Sequence, residues 1–198
     1  MCSWCWGFRP TWQIIQTNLP DNIQVKYLLG GLAPDSSEMM PKAMQTDIAG
    51  YWKKIQQHIP GTEFNFDFWD KCEPRRSTYP ACRAVIAARK QDSEIEQRMI
   101  EEIQIAYYLN AKNPSDSETL IDIAKQLGLD EERFASDLEG IETQQQLEKE
   151  IHLGQNIGAR GFPSLILEIN GVYQTVPLNY NDPVPVLNFI KGKTRLAL

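Results

Sequence analysis

Two cysteines, Cys2 and Cys5, open the chain and lead directly into a helical pattern. Large apolar side chains then recur at the spacing of one helix face, at Phe8, Trp12, Ile15 and Leu19. We therefore predict a helix over residues 2–19 that carries both cysteines in its first turn. Cysteines three positions apart lie on the same side of a helical turn, close enough to form a disulfide. The fold must accordingly present a dithiol at a helix N-terminus.

A helix N-terminus favours ionisation of a thiol. The first backbone N–H groups have no partner within the helix, and together with the helix dipole they stabilise a thiolate. We predict that Cys2 is the attacking thiolate. Cys5 lies one turn deeper, beside Trp6 and Phe8, and should stay protonated until it resolves the mixed disulfide between Cys2 and a substrate. Trp4, between the cysteines, is expected to be exposed to substrate.

A single CxxC motif is also half of a common zinc site. The other two cysteines, Cys72 and Cys82, do not form a second CxxC, and no histidine lies at ligand spacing near either pair. We therefore predict no metal site. Cys72 and Cys82 are expected to be small buried side chains near a helix junction, with a regulatory disulfide as the alternative.

The middle of the chain is dominated by helical signals. Residues 23–29 are rich in β-prone side chains and stop at Gly30-Gly31, which predicts a strand. From residue 37 to residue 158 nearly all of the chain is predicted to be helical, and Gly128 is placed to end one of the helices in a left-handed conformation. Three helix starts are predicted from pairs spaced like capping boxes, namely Ser93 with Glu96, Ser115 with Glu118 and Thr143 with Gln146.

The end of the chain is predicted to form a β-hairpin followed by a helix. Asn170-Gly171 separates two β-prone runs, residues 164–169 and 172–176, and supplies the positive φ angles of a type I′ turn. A last helix is predicted over residues 183–195. Its apolar face carries Val186, Leu187 and Ile190.

Composition argues against several classes of partner. The formal net charge of -6 provides no basic field for nucleic acid or an anionic membrane surface. The sequence has no apolar run long enough to span a membrane and no secretory signal pattern. Four cysteines suit a reducing compartment in which some thiols are reactive. We therefore expect a cytoplasmic protein that binds neither nucleic acid nor membrane.

Three stretches carry a resemblance to a known family: Cys2-Ser3-Trp4-Cys5-Trp6-Gly7-Phe8, the following Pro10, and Gly161-Phe162-Pro163-Ser164 ahead of the hairpin. Together they resemble the DsbA family of thioredoxin-fold proteins over nearly the whole chain. The resemblance implies an α/β thioredoxin-like core, residues 1–36 and 159–198, with an all-helical domain inserted at residues 37–158. It also implies a cis Phe162–Pro163 bond facing the dithiol, with the Phe162 backbone free to pair with an extended substrate. The expected substrate-binding residues are then Trp4, Phe162 and Pro163.

The sequence departs from that family in two respects. Ser3-Trp4 has neither the proline nor the histidine of better-known members, so the resemblance does not predict whether the dithiol oxidises or reduces its substrates. The family also places a strand directly before the CxxC, where this chain has one residue. Without that first core strand, each buried backbone group left unpaired on its neighbours costs about 1–3 kcal/mol. We therefore expect the natural polypeptide to begin upstream, with Met1 an internal methionine.

Three functions remain open from the sequence. The leading one is a thiol–disulfide oxidoreductase that acts on protein or small-molecule thiols and disulfides, with no cofactor beyond its own dithiol. A second is a glutathione-dependent transferase or isomerase on the same fold, with glutathione as substrate or co-substrate. A third is a partner-binding module whose dithiol is incidental. The requirement for Cys5 separates the first two, and the reduction potential of the Cys2–Cys5 pair separates the third.

Overall fold

The computed structural model describes residues 1–195, which are mostly helical. Its elements are, in chain order, α1 (Ser3–Thr17), α2 (Lys42–His58), α3 (Phe68–Lys71), α4 (Tyr79–Gln91), a 3₁₀ turn (Ser93–Ile95), α5 (Glu96–Tyr108), α6 (Ser117–Gln126), α7 (Glu131–Glu139), α8 (Ile141–Asn156), β1 (Leu165–Ile169), β2 (Val172–Val176) and α9 (Val184–Arg195). The predicted helical block thus lies between the first helix and the hairpin. None of the helices in residues 1–195 is both long enough and apolar enough to cross a lipid bilayer.

The hairpin and the last helix are confirmed. Strands β1 and β2 pair antiparallel in a register that sets Leu165 opposite Val176. Asn170 and Gly171 form the turn with φ angles of 53° and 80°, as a type I′ turn requires. Helix α9 buries the three predicted side chains of its apolar face: Val186, Leu187 and Ile190.

The predicted strand at residues 23–29 is wrong. This segment has no assigned secondary structure, and within residues 1–195 no strand lies beside it. Its β-prone side chains are not enough, because a strand needs the backbone groups of a neighbour to complete its hydrogen bonds. Leu29 instead donates its N–H to Glu150 Oε2 of α8 at 3.1 Å. The segment is therefore held by a side chain rather than by a sheet.

The predicted capping boxes are also wrong, although a helix or turn begins close to each of them. Asp92 rather than Ser93 caps the 3₁₀ turn, and its side chain accepts the Glu94 N–H. Ser115 lies before α6 and donates its hydroxyl to Ser77 O at 2.7 Å. Thr143 lies inside α8, where it is buried and accepts a hydrogen bond from Lys90. Contacts with distant segments thus decide where the Ser115 and Thr143 hydroxyls bond. The predicted left-handed end at Gly128 is confirmed by its φ of 80°.

Three apolar clusters hold these elements together. The helical cluster is formed within α4 to α7 and includes Met99, Leu120 and Phe134. The hairpin cluster joins α1, the hairpin and α9, and its buried members are Phe8, Ile15, Leu167, Val176, Val186, Leu187 and Ile190. The aromatic cluster consists of Trp6, Trp52, Phe68, Tyr107 and Tyr108. Burial of each large side chain contributes roughly 1.5–3 kcal/mol.

Helix α1 contributes to two of these clusters. Phe8 and Ile15 face the hairpin cluster, whereas Trp6 enters the aromatic cluster and stacks on Tyr108 at 5.5 Å between ring centroids. The indole N–H of Trp6 also donates to Glu63 O at 3.0 Å. Packing on both sides therefore fixes the position of the helix that carries the two cysteines.

A partly buried ionic group links the helical block to residues 23–30. Arg89 of α4 pairs with Glu96 at 2.6 Å and also with Glu150 of α8. Burial raises the pKa of Glu96 above its usual value, even though Arg89 opposes that shift. Since the second oxygen of Glu150 accepts the Leu29 N–H, this ion pair fixes the chain just before Gly30.

Candidate dithiol site

Cys2 and Cys5 form a disulfide, with their Cα atoms 5.2 Å apart. Cys2 is the N-cap of α1, with φ −97° and ψ 108°, and its sulfur accepts the Cys5 N–H at 3.0 Å. In this oxidised state the Cys2 Sγ atom stands in for the thiolate of the reduced protein. A backbone donor and the positive end of the helix dipole therefore converge on Cys2. This is the arrangement that the spacing of the two cysteines predicts.

Trp4 is half-buried rather than fully exposed. Its ring packs against Tyr180 at 5.1 Å and against His58 at 5.7 Å between centroids, and the latter two rings lie 6.0 Å apart. Sequence reasoning missed both partners. His58 ends α2 and Tyr180 lies in the loop before α9, so no local pattern links either residue to the dithiol.

The Phe162–Pro163 peptide bond is cis. Phe162 is 39% exposed and Pro163 is half-buried. Two residues later, Leu165 begins β1 and packs against the hairpin cluster, to which Phe8 of α1 also belongs. The strand that follows the cis-proline loop and the dithiol helix therefore pack on the same apolar cluster.

The ring of Phe162 lies directly on Gly30. A Cβ atom placed on Gly30 would come within 1.8 Å of Phe162 Cε1, so only glycine fits under the ring in this conformation. The next residue, Gly31, has a φ of 55°, and a Cβ there would meet Ile151 of α8 and Tyr79 of α4. Sequence reasoning assigned Gly30-Gly31 only to the end of a strand. Its actual role is to let the helical block and the cis-proline loop approach this segment closely.

The remaining cysteines are half-buried and are not bonded to each other. Burial raises the pKa of the Cys72 thiol, which donates to Ala111 O at 2.9 Å. Burial also raises the pKa of the Cys82 thiol, although the Gly31 N–H opposes this shift. Both thiols are therefore less readily ionised than a free cysteine. Within residues 1–195 no three side chains of His, Cys, Asp or Glu come together as a metal site would require.

Comparison with known proteins decides the family. The profile of the DSBA-like thioredoxin domain matches residues 1–183. The chain belongs to the DSBA-like thioredoxin domain family. Membership confirms the α/β thioredoxin-like fold class, with its large helical part, that the sequence predicted.

Solved structures of two proteins share this fold over nearly their whole length. A candidate protein disulfide isomerase of Nitrosomonas europaea is 23% identical, with a TM-score of 0.84 over 99% of this chain and 94% of the other. The cytosolic disulfide reductase DsbM of Pseudomonas aeruginosa is 24% identical, with a TM-score of 0.78 over 100% and 96% of the two chains. A structure of DsbM with glutathione has also been determined, and it gives a TM-score of 0.77 at 22% identity. At these identities the likeness establishes the fold.

The curated relatives in sequence are longer proteins. The ClpXP adapter protein SpxH of Halalkalibacterium halodurans is 27% identical over 70% of this chain. SpxH of Bacillus subtilis is 23% identical over 70% of this chain. The matched regions cover 46% and 45% of these two relatives, so the chain corresponds to less than half of their lengths.

Proposed function

We propose that the protein is a thiol–disulfide oxidoreductase with Cys2 as the nucleophile and Cys5 as the resolving thiol. The observation that carries the proposal is the hydrogen bond from the Cys5 N–H to the Cys2 sulfur at the N-terminus of α1, in a chain of the DSBA-like family. A donor already directed at this sulfur needs no rearrangement when negative charge develops on it. Cys5 is half-buried one turn further along the helix, which suits it to the second step.

In the reducing direction the exchange has two steps. The Cys2 thiolate attacks one sulfur of the substrate disulfide, a Cys2–substrate bond forms, and the other substrate sulfur leaves as a thiolate. Cys5 then loses its proton and attacks Cys2, which forms the Cys2–Cys5 disulfide and releases the second substrate sulfur as a thiolate. Two electrons pass from the dithiol to the substrate. The oxidising direction is the reverse of these steps.

Trp4, Phe162 and Pro163 are the proposed substrate contacts. Phe162 is exposed, while Trp4 and Pro163 keep part of their surface accessible. Trp4 separates the two cysteines, and strand β1, which follows the cis-proline loop, packs on the same cluster as α1. An extended substrate could thus pair with the Phe162 backbone while its cysteine meets Cys2. We propose a cytoplasmic setting, because the protein keeps two unpaired thiols and its structural relative DsbM is described as cytosolic.

Glutathione is the second candidate for the chemistry of the site. The structure of DsbM with glutathione favours it, since that chain shares the fold over its whole length. Glutathione would act either as the thiol that reduces the Cys2–Cys5 disulfide or as the substrate of a transferase. A transferase needs only one cysteine, whereas dithiol exchange needs Cys5.

A partner-binding role is the third candidate, because the sequence relatives are named as ClpXP adapters. Under this proposal the Cys2–Cys5 disulfide would be a static cross-link. It would then lie well below the potential of the glutathione pool, and reduction would not be part of the function.

Cysteine variants test the exchange most simply. The background carries Cys72→Ser and Cys82→Ser, so that Cys2 and Cys5 supply the only thiols. With a peptide disulfide as substrate and a thiol reductant in excess, the parent protein should turn over. Without the reductant, reduced Cys5→Ser should accumulate a mixed disulfide visible by intact mass, and Cys2→Ser should form no adduct. Full turnover by Cys5→Ser would favour the glutathione-dependent transferase. The absence of both an adduct and turnover in Cys5→Ser would contradict both enzymatic proposals.

A further inference from the structure

We infer that His58 and Tyr180 are positioning residues that hold the Trp4 indole as an apolar wall for the side chain next to the substrate's cysteine. This inference rests on the proposed function and assigns a selectivity to the same site. It predicts a preference for disulfides flanked by an aromatic or large aliphatic residue.

The three rings form one compact group at the dithiol. The Trp4 ring meets His58 at an interplanar angle of 72° and Tyr180 at 57°, while His58 and Tyr180 meet at 73°. Separations of 5.1–6.0 Å with steep angles are the arrangement that attracts aromatic rings to one another. Because Trp4 lies between Cys2 and Cys5, whatever orients its ring also shapes the surface next to the reactive sulfur.

Each of the two supporting rings is anchored by backbone contacts. Asn181 donates from its side-chain amide to His58 O at 3.0 Å, which ties the end of α2 to the loop before α9. Thr11 of α1 donates its hydroxyl to Tyr180 O at 2.6 Å. The Tyr180 ring also packs against Phe8 at 5.6 Å, so α1 holds Tyr180 at two points.

A glycine brings α2 close enough for these contacts. Gly7 lies one helical turn after Trp4, and a Cβ atom at this position would come within 2.7 Å of Ile59 and 3.0 Å of Ile55. The end of α2 can therefore approach α1 at the level of the dithiol, and His58, the residue before Ile59, reaches Trp4.

The group lies at the edge of the hairpin cluster, against which Tyr180 packs. His58 is exposed, and Trp4 and Tyr180 are only half-buried. The contact of His58 with Trp4 adds little to the burial of apolar surface in the folded chain. Its effect is to restrict Trp4 to one orientation, so that a substrate side chain meets a wall that is already ordered. Ordering before binding improves affinity because less conformational freedom is lost in the complex.

Loss of either supporting ring should therefore weaken binding without affecting exchange. His58→Ala and Tyr180→Ala should raise KM about two- to tenfold for a peptide disulfide flanked by phenylalanine, the range that one aromatic contact provides. Their kcat, and their rate with the small hydroxyethyl disulfide, should match the wild type, since the proposed exchange assigns no step to either ring. His58→Phe and Tyr180→Phe keep a ring and should behave as the wild type.

The experiment compares two peptide disulfides that differ only in a phenylalanine or a serine beside the cysteine. The inference is supported if the alanine variants raise KM for the phenylalanine peptide alone and the ring-keeping variants restore it. It is overturned if KM for that peptide does not change, or if it rises equally for both peptides. His58 is exposed, so His58→Ala decides the matter even if Tyr180→Ala fails to fold.

A binding measurement separates this inference from the proposed function. The same peptides with serine in place of cysteine cannot exchange, and the ratio of their Kd values for the wild type and for His58→Ala reports the effect of His58 on the Trp4 surface. Absence of turnover in the wild type with every disulfide would contradict the oxidoreductase proposal. A Kd for the phenylalanine peptide that is equal in the wild type and His58→Ala would contradict the positioning role.

Discussion

Replacing Gly30 with alanine puts a methyl group where the ring of Phe162 now lies. The added Cβ would be 1.8 Å from Cε1, 2.5 Å from Cζ and 3.0 Å from Cδ1 of that ring. Carbon atoms in favourable contact lie about 3.5–4.0 Å apart, so the ring must move by about 2 Å. Because Phe162 is exposed, the ring can swing toward solvent, and the displacement should fall on the cis-proline loop rather than on the core.

The expected losses in stability and activity differ in size. Inserting a methyl group into a tight contact typically costs about 1–3 kcal/mol, and the exposed side of the ring places Gly30→Ala toward the lower end of that range. If the loop positions substrate opposite Cys2, a displacement of this size should lower turnover by roughly 100-fold. The two quantities are read by urea unfolding and by the rate of peptide disulfide reduction.

Two variants test the reasoning. Gly161→Ala lies in the same loop and would have no atom within 4 Å of the new Cβ, so its turnover should equal that of the wild type. Adding Phe162→Ala to Gly30→Ala removes the clashing ring, and the double variant should then be as active as Phe162→Ala alone. Full turnover by Gly30→Ala, or an equal loss of turnover with and without the Phe162 ring, would show that the Gly30–Phe162 contact does not position the loop.

Three further outcomes are expected. Cys82→Ser should leave turnover unchanged. In the wild type the Cys82 thiol should react with iodoacetamide more slowly than free cysteine, because burial raises its pKa. Fast alkylation of Cys82 would contradict this. Burial also raises the pKa of Glu96, so its contribution to stability is present in acid and is lost as the pH rises through the folded-state pKa. The free energy of unfolding should therefore decline over that pH range in the wild type but not in Glu96→Gln. A pH series of urea titrations checks this. Trp52→Ala should lower the free energy of unfolding by about 3–5 kcal/mol, since this indole is fully buried in the aromatic cluster; a loss below 1 kcal/mol in urea titrations would speak against that role.

Local sequence signals predicted the elements that local interactions determine. Asn170-Gly171 defined its hairpin, and the spacing of Phe8 and Ile15 defined the buried face of α1. Cys2 and Cys5 were found because helix geometry alone brings them together. The division into a core and a helical insertion at residues 37–158 stays a prediction.

Features that depend on distant partners were predicted wrongly from the sequence or were not predicted at all. Residues 23–29 have strand-like side chains but no neighbouring strand in the part of the chain described, and Ser115 bonds to Ser77 instead of capping a helix. Likewise, the contact of the Phe162 ring with Gly30 joins residues that are far apart in the chain, and no pattern of spacing identifies it. The contacts of Trp4 with His58 and Tyr180 were not predicted for the same reason, because they join residues that are far apart in the chain.

The reduction potential of the Cys2–Cys5 pair distinguishes an exchanging dithiol from a structural disulfide. It is measured by equilibrating the protein in glutathione redox buffers and following the dithiol by intact mass. An exchanging dithiol should lie within the range of thioredoxin-fold oxidoreductases, about −270 to −120 mV. A value below about −300 mV, where structural disulfides lie, would mean that the bond is a static cross-link and would contradict the account.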